Sequence, residues 1–103
     1  MKIDKAEIEG EYVVRVSGEI SFREKDYIKE EFNLIAGNMK KSGIKNMLID
    51  ASEIDYIDSL EIGFFVTLKK NLNKEGIEMK FINVAPEVMT VFKLLSLEKI
   101  LCR

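Results

Sequence analysis

The chain has 103 residues, of which 47% are hydrophobic and 33% charged, with 16 Lys plus Arg against 18 Asp plus Glu and a net charge of −2. That length supports one domain with its own core and leaves no room for two, and the charge balance argues against a nucleic-acid partner, which calls for a basic patch or stripe. Histidine is absent and cysteine occurs once, at Cys102, which removes the His-based triad and a zinc cluster and points to a reducing, cytoplasmic setting.

In chain order, the first ten residues alternate apolar and charged, unlike an export signal, and Met1 to Glu9 reads as an edge strand. Glu9-Gly10-Glu11 marks a turn. Residues 12–17, Tyr-Val-Val-Arg-Val-Ser, are β-branched and aromatic with Tyr12, Val14 and Val16 on one face, which predicts the second arm of an antiparallel hairpin. Gly18-Glu19-Ile20-Ser21 is expected as its exit loop. Ile28, Phe32, Ile35 and Met39 then recur at helical spacing, which predicts a helix over residues 22–41. Ser21-Phe22-Arg23-Glu24 reads as the capping box that opens it, and Gly43 as its C-terminal cap.

Residues 45–51 contain Met47-Leu48-Ile49, a continuous apolar run that fits a central strand covered on both faces. A loop is expected over residues 52–58, followed by a helix from Ser59 to Asn73. Phe64, Phe65, Leu68 and Leu72 form its apolar centre, and Lys69, Lys70, Asn73 and Lys74 face solvent. Residues 78–84 predict another strand, and Pro86 suits the first turn of a third helix through Leu95. Leu97, Ile100 and Leu101 belong to a closing tail. The order β-β-α-β-α-β-α predicts an α/β domain spanning residues 1–103, built on a mixed sheet with a parallel centre and an antiparallel N-terminal edge. No apolar run reaches the ~18 residues of a membrane span.

Candidate chemistry concentrates at Tyr56-Ile57-Asp58-Ser59-Leu60-Glu61-Ile62-Gly63, where a central strand ends and a helix begins. Ligands and partners of open α/β sheets gather at that edge, and a helix start offers free N–H groups to an anion. Asp58 and Glu61 also fit a plain Asp-x-x-Glu capping pair. Ser21 carries the same two readings, helix cap or neighbour of the Ser59 turn. The acidic run Asp50, Glu53, Asp55 and Asp58 lacks the spacing of a cation loop, and no nucleophile or base faces it. Neither a metal, a cofactor nor a catalytic residue is expected.

Read together, Val16-Ser17-Gly18-Glu19-Ile20, Asn46-Met47-Leu48-Ile49-Asp50, Ile57-Asp58-Ser59-x-x-Ile62-Gly63, Val84-Ala85-Pro86-Glu87-Val88, Val91-Phe92-x-x-Leu95 and Leu97-x-x-Ile100 resemble the STAS domains. Within that family the chain is similar to the stand-alone bacterial anti-sigma factor antagonists. The resemblance implies a mixed sheet packed with helices, no catalysis, and binding to an anti-sigma factor that is also a serine kinase of the GHKL type. Release of the sigma factor then regulates transcription. It further implies a contact surface at Ser21, Asp58, Ser59, Leu60, Glu61 and Ile62, and a phosphorylation switch at the start of the second helix. Against the family pattern Asp-Ser-(Ser/Thr)-Gly, this chain reads Asp58-Ser59-Leu60-Glu61, so the acceptor position is Leu60, which lacks a hydroxyl. Ser21 stands where relatives usually carry Asp. Ser59 keeps a hydroxyl beside the expected position and is the one candidate for a substitute acceptor, while the expected regulation is independent of phosphorylation at residue 60. The alternative reading is a phosphorylation-independent interaction or nucleotide-sensing module outside the sigma pathway, and self-association into a homo-oligomer stays open.

Overall fold

The computed structural model describes residues 1–102. Strands β1 (Lys2–Ile8), β2 (Glu11–Ile20), β3 (Asn46–Ile57) and β4 (Glu78–Ile82) lie in the order β1-β2-β3-β4. The β1–β2 pair is antiparallel, and β2–β3 and β3–β4 are parallel. A 3₁₀ turn (Phe22–Glu24) leads into α1 (Lys25–Ser42), α2 (Ser59–Lys74) links β3 to β4, and α3 (Pro86–Leu94) and α4 (Glu98–Leu101) close the described chain. The mixed sheet with its parallel centre and antiparallel edge is therefore the one expected from the sequence, with the anticipated tail folded into the short α4.

Alternation along the strands decides where the core sits. Val14, Val16, Met47, Ile49, Ala51, Met79 and Phe81 project to one face and are buried. There they meet Ile28, Phe32, Ile35 and Met39 of α1 and Ile62, Phe65, Leu68 and Leu72 of α2. A chain of edge-to-face rings crosses this layer: Phe32–Phe65, Phe65–Phe81 and Phe81–Phe92, with centroids 5.3, 5.2 and 5.4 Å apart. That geometry matches the ring quadrupoles and adds to the area buried. It also places α1, α2 and α3 on the same side of the sheet. The other side stays open at Asp4, Ala6, Arg15 and Lys80, with Leu48 only half-buried. Coverage of β3 on both faces, expected from its apolar run, is thus not found.

Three further expectations are corrected. Residues 52–57, expected as loop, continue β3, because Glu53, Ile54, Tyr56 and Ile57 pair with Ser17, Gly18, Glu19 and Ile20 of β2 across register irregularities. The expected exit loop after residue 17 is accordingly strand as far as Ile20. Gly18 absorbs one irregularity at φ +88°, and a Cβ there would lie 3.3 Å from the Met1 backbone, so both backbone angle and space call for glycine. Lys69 turns inward rather than to solvent, is half-buried, and donates from Nζ to the Met79 carbonyl. Burial pushes its pKa down. Gly43 takes the left-handed conformation as the C-cap of α1, and Pro86 opens α3, as their sequence positions predict.

Because Phe65 sits between Phe32 and Phe81, Phe65→Ala removes the centre of the ring chain. Its expected cost is about 3–5 kcal/mol of unfolding free energy in urea, against less than about 1 kcal/mol for Asn73→Ala on the exposed side of α2.

Candidate functional site

The extended β2–β3 pairing brings two chain exits together. Ile20 pairs with Ile57 at the C-terminal end of both strands, so Ser21 and Asp58 leave the sheet side by side. The Asp58 N–H donates to the Ile20 carbonyl at 3.1 Å. The Asp58 carboxylate then serves two elements: Oδ1 accepts from the Glu61 N–H at 2.9 Å, capping α2, and Oδ2 accepts from the Phe22 N–H at 2.8 Å, holding the 3₁₀ turn. A carboxylate at a helix start satisfies an otherwise free N–H and meets the positive end of the dipole.

The two expected capping boxes fare differently. The Ser21 side chain makes no capping hydrogen bond. Instead its backbone carbonyl accepts from the Glu24 N–H at 2.9 Å, closing a turn that α1 follows from Lys25. Glu24 is thereby the residue before α1 rather than its third, and its carboxylate lies 3.7 Å from the N-terminal ammonium of Met1. Of the Asp58–Glu61 pair only the Asp58 half forms. Glu61 does not return a bond to the Asp58 N–H, which Ile20 already holds.

Glu61 is the unexpected residue. It is 2% exposed, and its Oε2 has no hydrogen-bond partner. Burial raises its pKa, the neighbouring Asp58 charge raises it further, and Lys25 offsets part of this. The sequence carries the signal: residues 61, 65, 68 and 72 form the buried stripe of α2, so an acid occupies the first place of an apolar face. Leu60, by contrast, is 64% exposed and Ser59 is exposed, while Ile62 is in the core. Of the six residues singled out, Ser21, Asp58, Ser59, Leu60 and Glu61 share this edge of the sheet. Ile62 supports it from below, donating its N–H to the Asp58 carbonyl.

Beside them runs a groove of about 330 Å³ between α1 and the start of α2, lined by Phe22, Lys25, Lys29, Leu60, Glu61 and Phe64, with Asp26 at its side. Phe22 is 49% exposed, and the Lys25 ammonium stands 4.4 Å from its ring centroid. The acidic run does not converge. Asp50 faces Arg15 at 3.6 Å on the open side of the sheet and accepts from the Ser52 N–H. Burial works against the Asp50 charge, but the Ser52 bonds and Arg15 outweigh it and hold its pKa below the usual range. Among the described residues no group of three His, Cys, Asp or Glu is arranged to hold a metal ion, and no helix is long and apolar enough to cross a membrane.

The STAS domain pattern matches residues 2–102. The chain belongs to the STAS domain family. The anti-sigma-B factor antagonist of Staphylococcus aureus is 24% identical over 90 residues, covering 87% of this chain and 80% of that protein. Two solved structures share the fold. An anti-sigma factor antagonist from Mycobacterium paratuberculosis superposes with a TM-score of 0.82 at 19% identity, covering 97% of this chain and 81% of its own. The unphosphorylated anti-sigma factor antagonist SpoIIAA does so with a TM-score of 0.75 at 16% identity, covering 95% and 84%. In this STAS domain the β2 and β3 exits, joined through Asp58, are what hold the helix start in place.

Two outcomes test the site. Asp58→Ala removes the cap and releases Phe22, at an expected cost of about 1–2 kcal/mol in denaturant unfolding. For Glu61 the raised pKa means that the folded state holds its proton more tightly than the unfolded chain, so its contribution declines as pH rises from the ordinary glutamate range through the raised value. Glu61→Gln should therefore match the wild type in acid and become the more stable protein as pH rises, read from urea midpoints at a series of pH values.

Proposed function

We propose that this chain is a cytoplasmic, non-enzymatic interaction module of the anti-sigma factor antagonist kind. It binds an anti-sigma factor that is also a GHKL-type serine kinase, and so releases a sigma factor for transcription. STAS family membership supports the reading, together with relatives named for that activity. The observation that carries it is the exposed Leu60 side chain at the start of α2, an apolar group held towards solvent by an Asp58 cap that fixes the turn. Exposed apolar side chains on a rigid element are suited to anchoring a partner. The contact surface is Ser21, Asp58, Ser59, Leu60 and Glu61, with Ile62 holding it from the core.

In this reading Leu60 fills the phospho-acceptor position, so the kinase finds a hydrocarbon where it needs an oxygen nucleophile. The Glu61 carboxylate one residue on adds negative charge where a phosphoryl group would arrive. Ser59, about a quarter turn away, faces a different direction from Leu60. Partner binding is then set without phosphate at residue 60.

Affinity purification from the native host should recover a GHKL-type kinase. Leu60→Asp should weaken that complex at least about tenfold, the equivalent of ~1.4 kcal/mol, with no loss of fold. Recovery of the chain alone would remove the antagonist reading. Incubated with the recovered kinase and ATP, the wild type should carry no stoichiometric phosphate by mass spectrometry, whereas the double substitution Leu60→Ser with Glu61→Gly should accept it. Stoichiometric phosphoserine at residue 59 that weakens the complex would show that Ser59 had taken over the switch.

A further inference from the structure

Strand pairing lines up two rows of side chains across the open side of the sheet. Read from β1 to β4, Ala6, Val13, Leu48 and Lys80 form one row, and Asp4, Arg15, Asp50 and Ile82 the other. Val13 and Leu48, both half-buried, stand at the centre of the first. At the centre of the second, Arg15 lies 3.6 Å from Asp50, so these two charges offset each other within the chain. Asp4 and Lys80 are exposed on the edge strands. A centre that is apolar or charge-paired, with free charges at the rim, is the layout of a contact surface. We propose that the open side of the sheet is a self-association surface, covered by the same side of a second copy of this chain. It is separate from the Asp58 edge and does not rest on the antagonist reading.

Charge complementarity selects both the occupant and its orientation. Two copies meeting face to face are related by a two-fold axis lying between their sheets, and each contact occurs twice. With that axis along the strands, the rows stay level and the strand order reverses. Then β1 lies over β4 of the second copy, and β2 over β3. Val13 meets Leu48 of the second copy, Arg15 meets Asp50, Ala6 meets Lys80 and Asp4 meets Ile82. At the strand starts Glu11 meets Asn46 and Ile8 meets Glu78, so no like charges are opposed anywhere on the face. The Arg15 side chain is 54% exposed against 10% for Asp50, and makes the reach across. An axis running across the strands lays each strand over its own copy. That sets Lys80 against Lys80, or Asp4 and Arg15 each against itself, or the charged row against Val13 and Leu48. The first arrangement avoids all three penalties, and aligned sheets about 10 Å apart are ordinary packing. Size limits the strength. Four strands ~4.8 Å apart, with ~3.3 Å per residue over the five pairs of the β3–β4 ladder, outline roughly 300 Å². A standard interface buries ~800 Å² per partner, so this dimer is weak and forms on concentration.

The test needs only this chain. Amide shifts of the isotope-labelled protein are followed by NMR from about 20 µM to about 1 mM, a span suited to weak association. The expected result is a concentration-dependent change that fits a monomer–dimer equilibrium and is confined to the two rows, with residues 58–61 unmoved. Orientation is read by mixing labelled wild type with an unlabelled Glu7→Cys, Cys102→Ser chain that carries a nitroxide at residue 7, on β1 but on the helix side of the sheet. Broadening in the labelled copy should be strongest at residues 80 and 82 of β4. Leu48→Glu should abolish the concentration dependence while its circular dichroism stays that of the wild type, and the first two measurements decide the matter without it. Shifts that do not change with concentration, changes centred instead on the exposed Leu94, Leu95 and Ile100, broadening strongest on β1 of the labelled copy, or persistence in a folded Leu48→Glu would each overturn the proposal.

Discussion

The Asp58 carboxylate is the joint on which this edge of the molecule depends. One oxygen caps α2, the other holds the turn that precedes α1, and the Asp58 N–H returns to the end of β2. Two crossover helices are thereby referenced to the same residue, and both leave the same end of the sheet. Such an arrangement requires β2 and β3 to end together, which the pairing of Ile20 with Ile57 ensures. The irregularities near Gly18 make that possible. They let a ten-residue strand and a twelve-residue strand finish level despite the extra residues in β3.

Much of the architecture was legible because burial on one face leaves a periodic trace. Tyr12, Val14 and Val16 alternate, and Ile28, Phe32, Ile35 and Met39 recur at helical spacing, so element type followed from pattern. Length did not. Residues 52–57 read Ser-Glu-Ile-Asp-Tyr-Ile, rich in the polar residues of loops. They are strand because β2 offers them a partner, a tertiary influence that local composition does not register. Similarly, Met47-Leu48-Ile49 suggested two covered faces, yet Leu48 is half-buried on an otherwise open side. A three-residue run is too short to separate these cases.

The candidate site was legible as a place and less so as chemistry. Asp58 announced itself as a helix cap, and it is one. The reciprocal Glu61 bond was a reasonable expectation that failed for a definite reason: the N–H it would have met is taken by Ile20. Ser21 failed as a side-chain cap because a 3₁₀ turn intervenes before α1, moving Glu24 from the third helical position to the flanking one. The Phe22 contact with Asp58 spans 36 residues of sequence, and no local pattern encodes it. What the sequence did contain, in the stripe formed by residues 61, 65, 68 and 72, was an acid where an apolar residue belongs.

That misplaced acid has a physical consequence for the stability of this edge. A glutamine at residue 61 would occupy nearly the same volume without the charge, and an alanine or glycine would avoid the buried carboxyl altogether. The carboxyl therefore costs folding stability that a simpler residue would spare. Its neighbour Asp58 makes the cost larger by raising the free energy of the ionised form. Yet Asp58 cannot be neutralised without loosening both the α2 cap and the Phe22 turn. The same rigid frame that holds Leu60 out to solvent also holds Glu61 in an environment it does not satisfy. The Asp58 hydrogen bonds thus set the exposed position of Leu60 and the buried position of Glu61 together, and neither can be changed without the other.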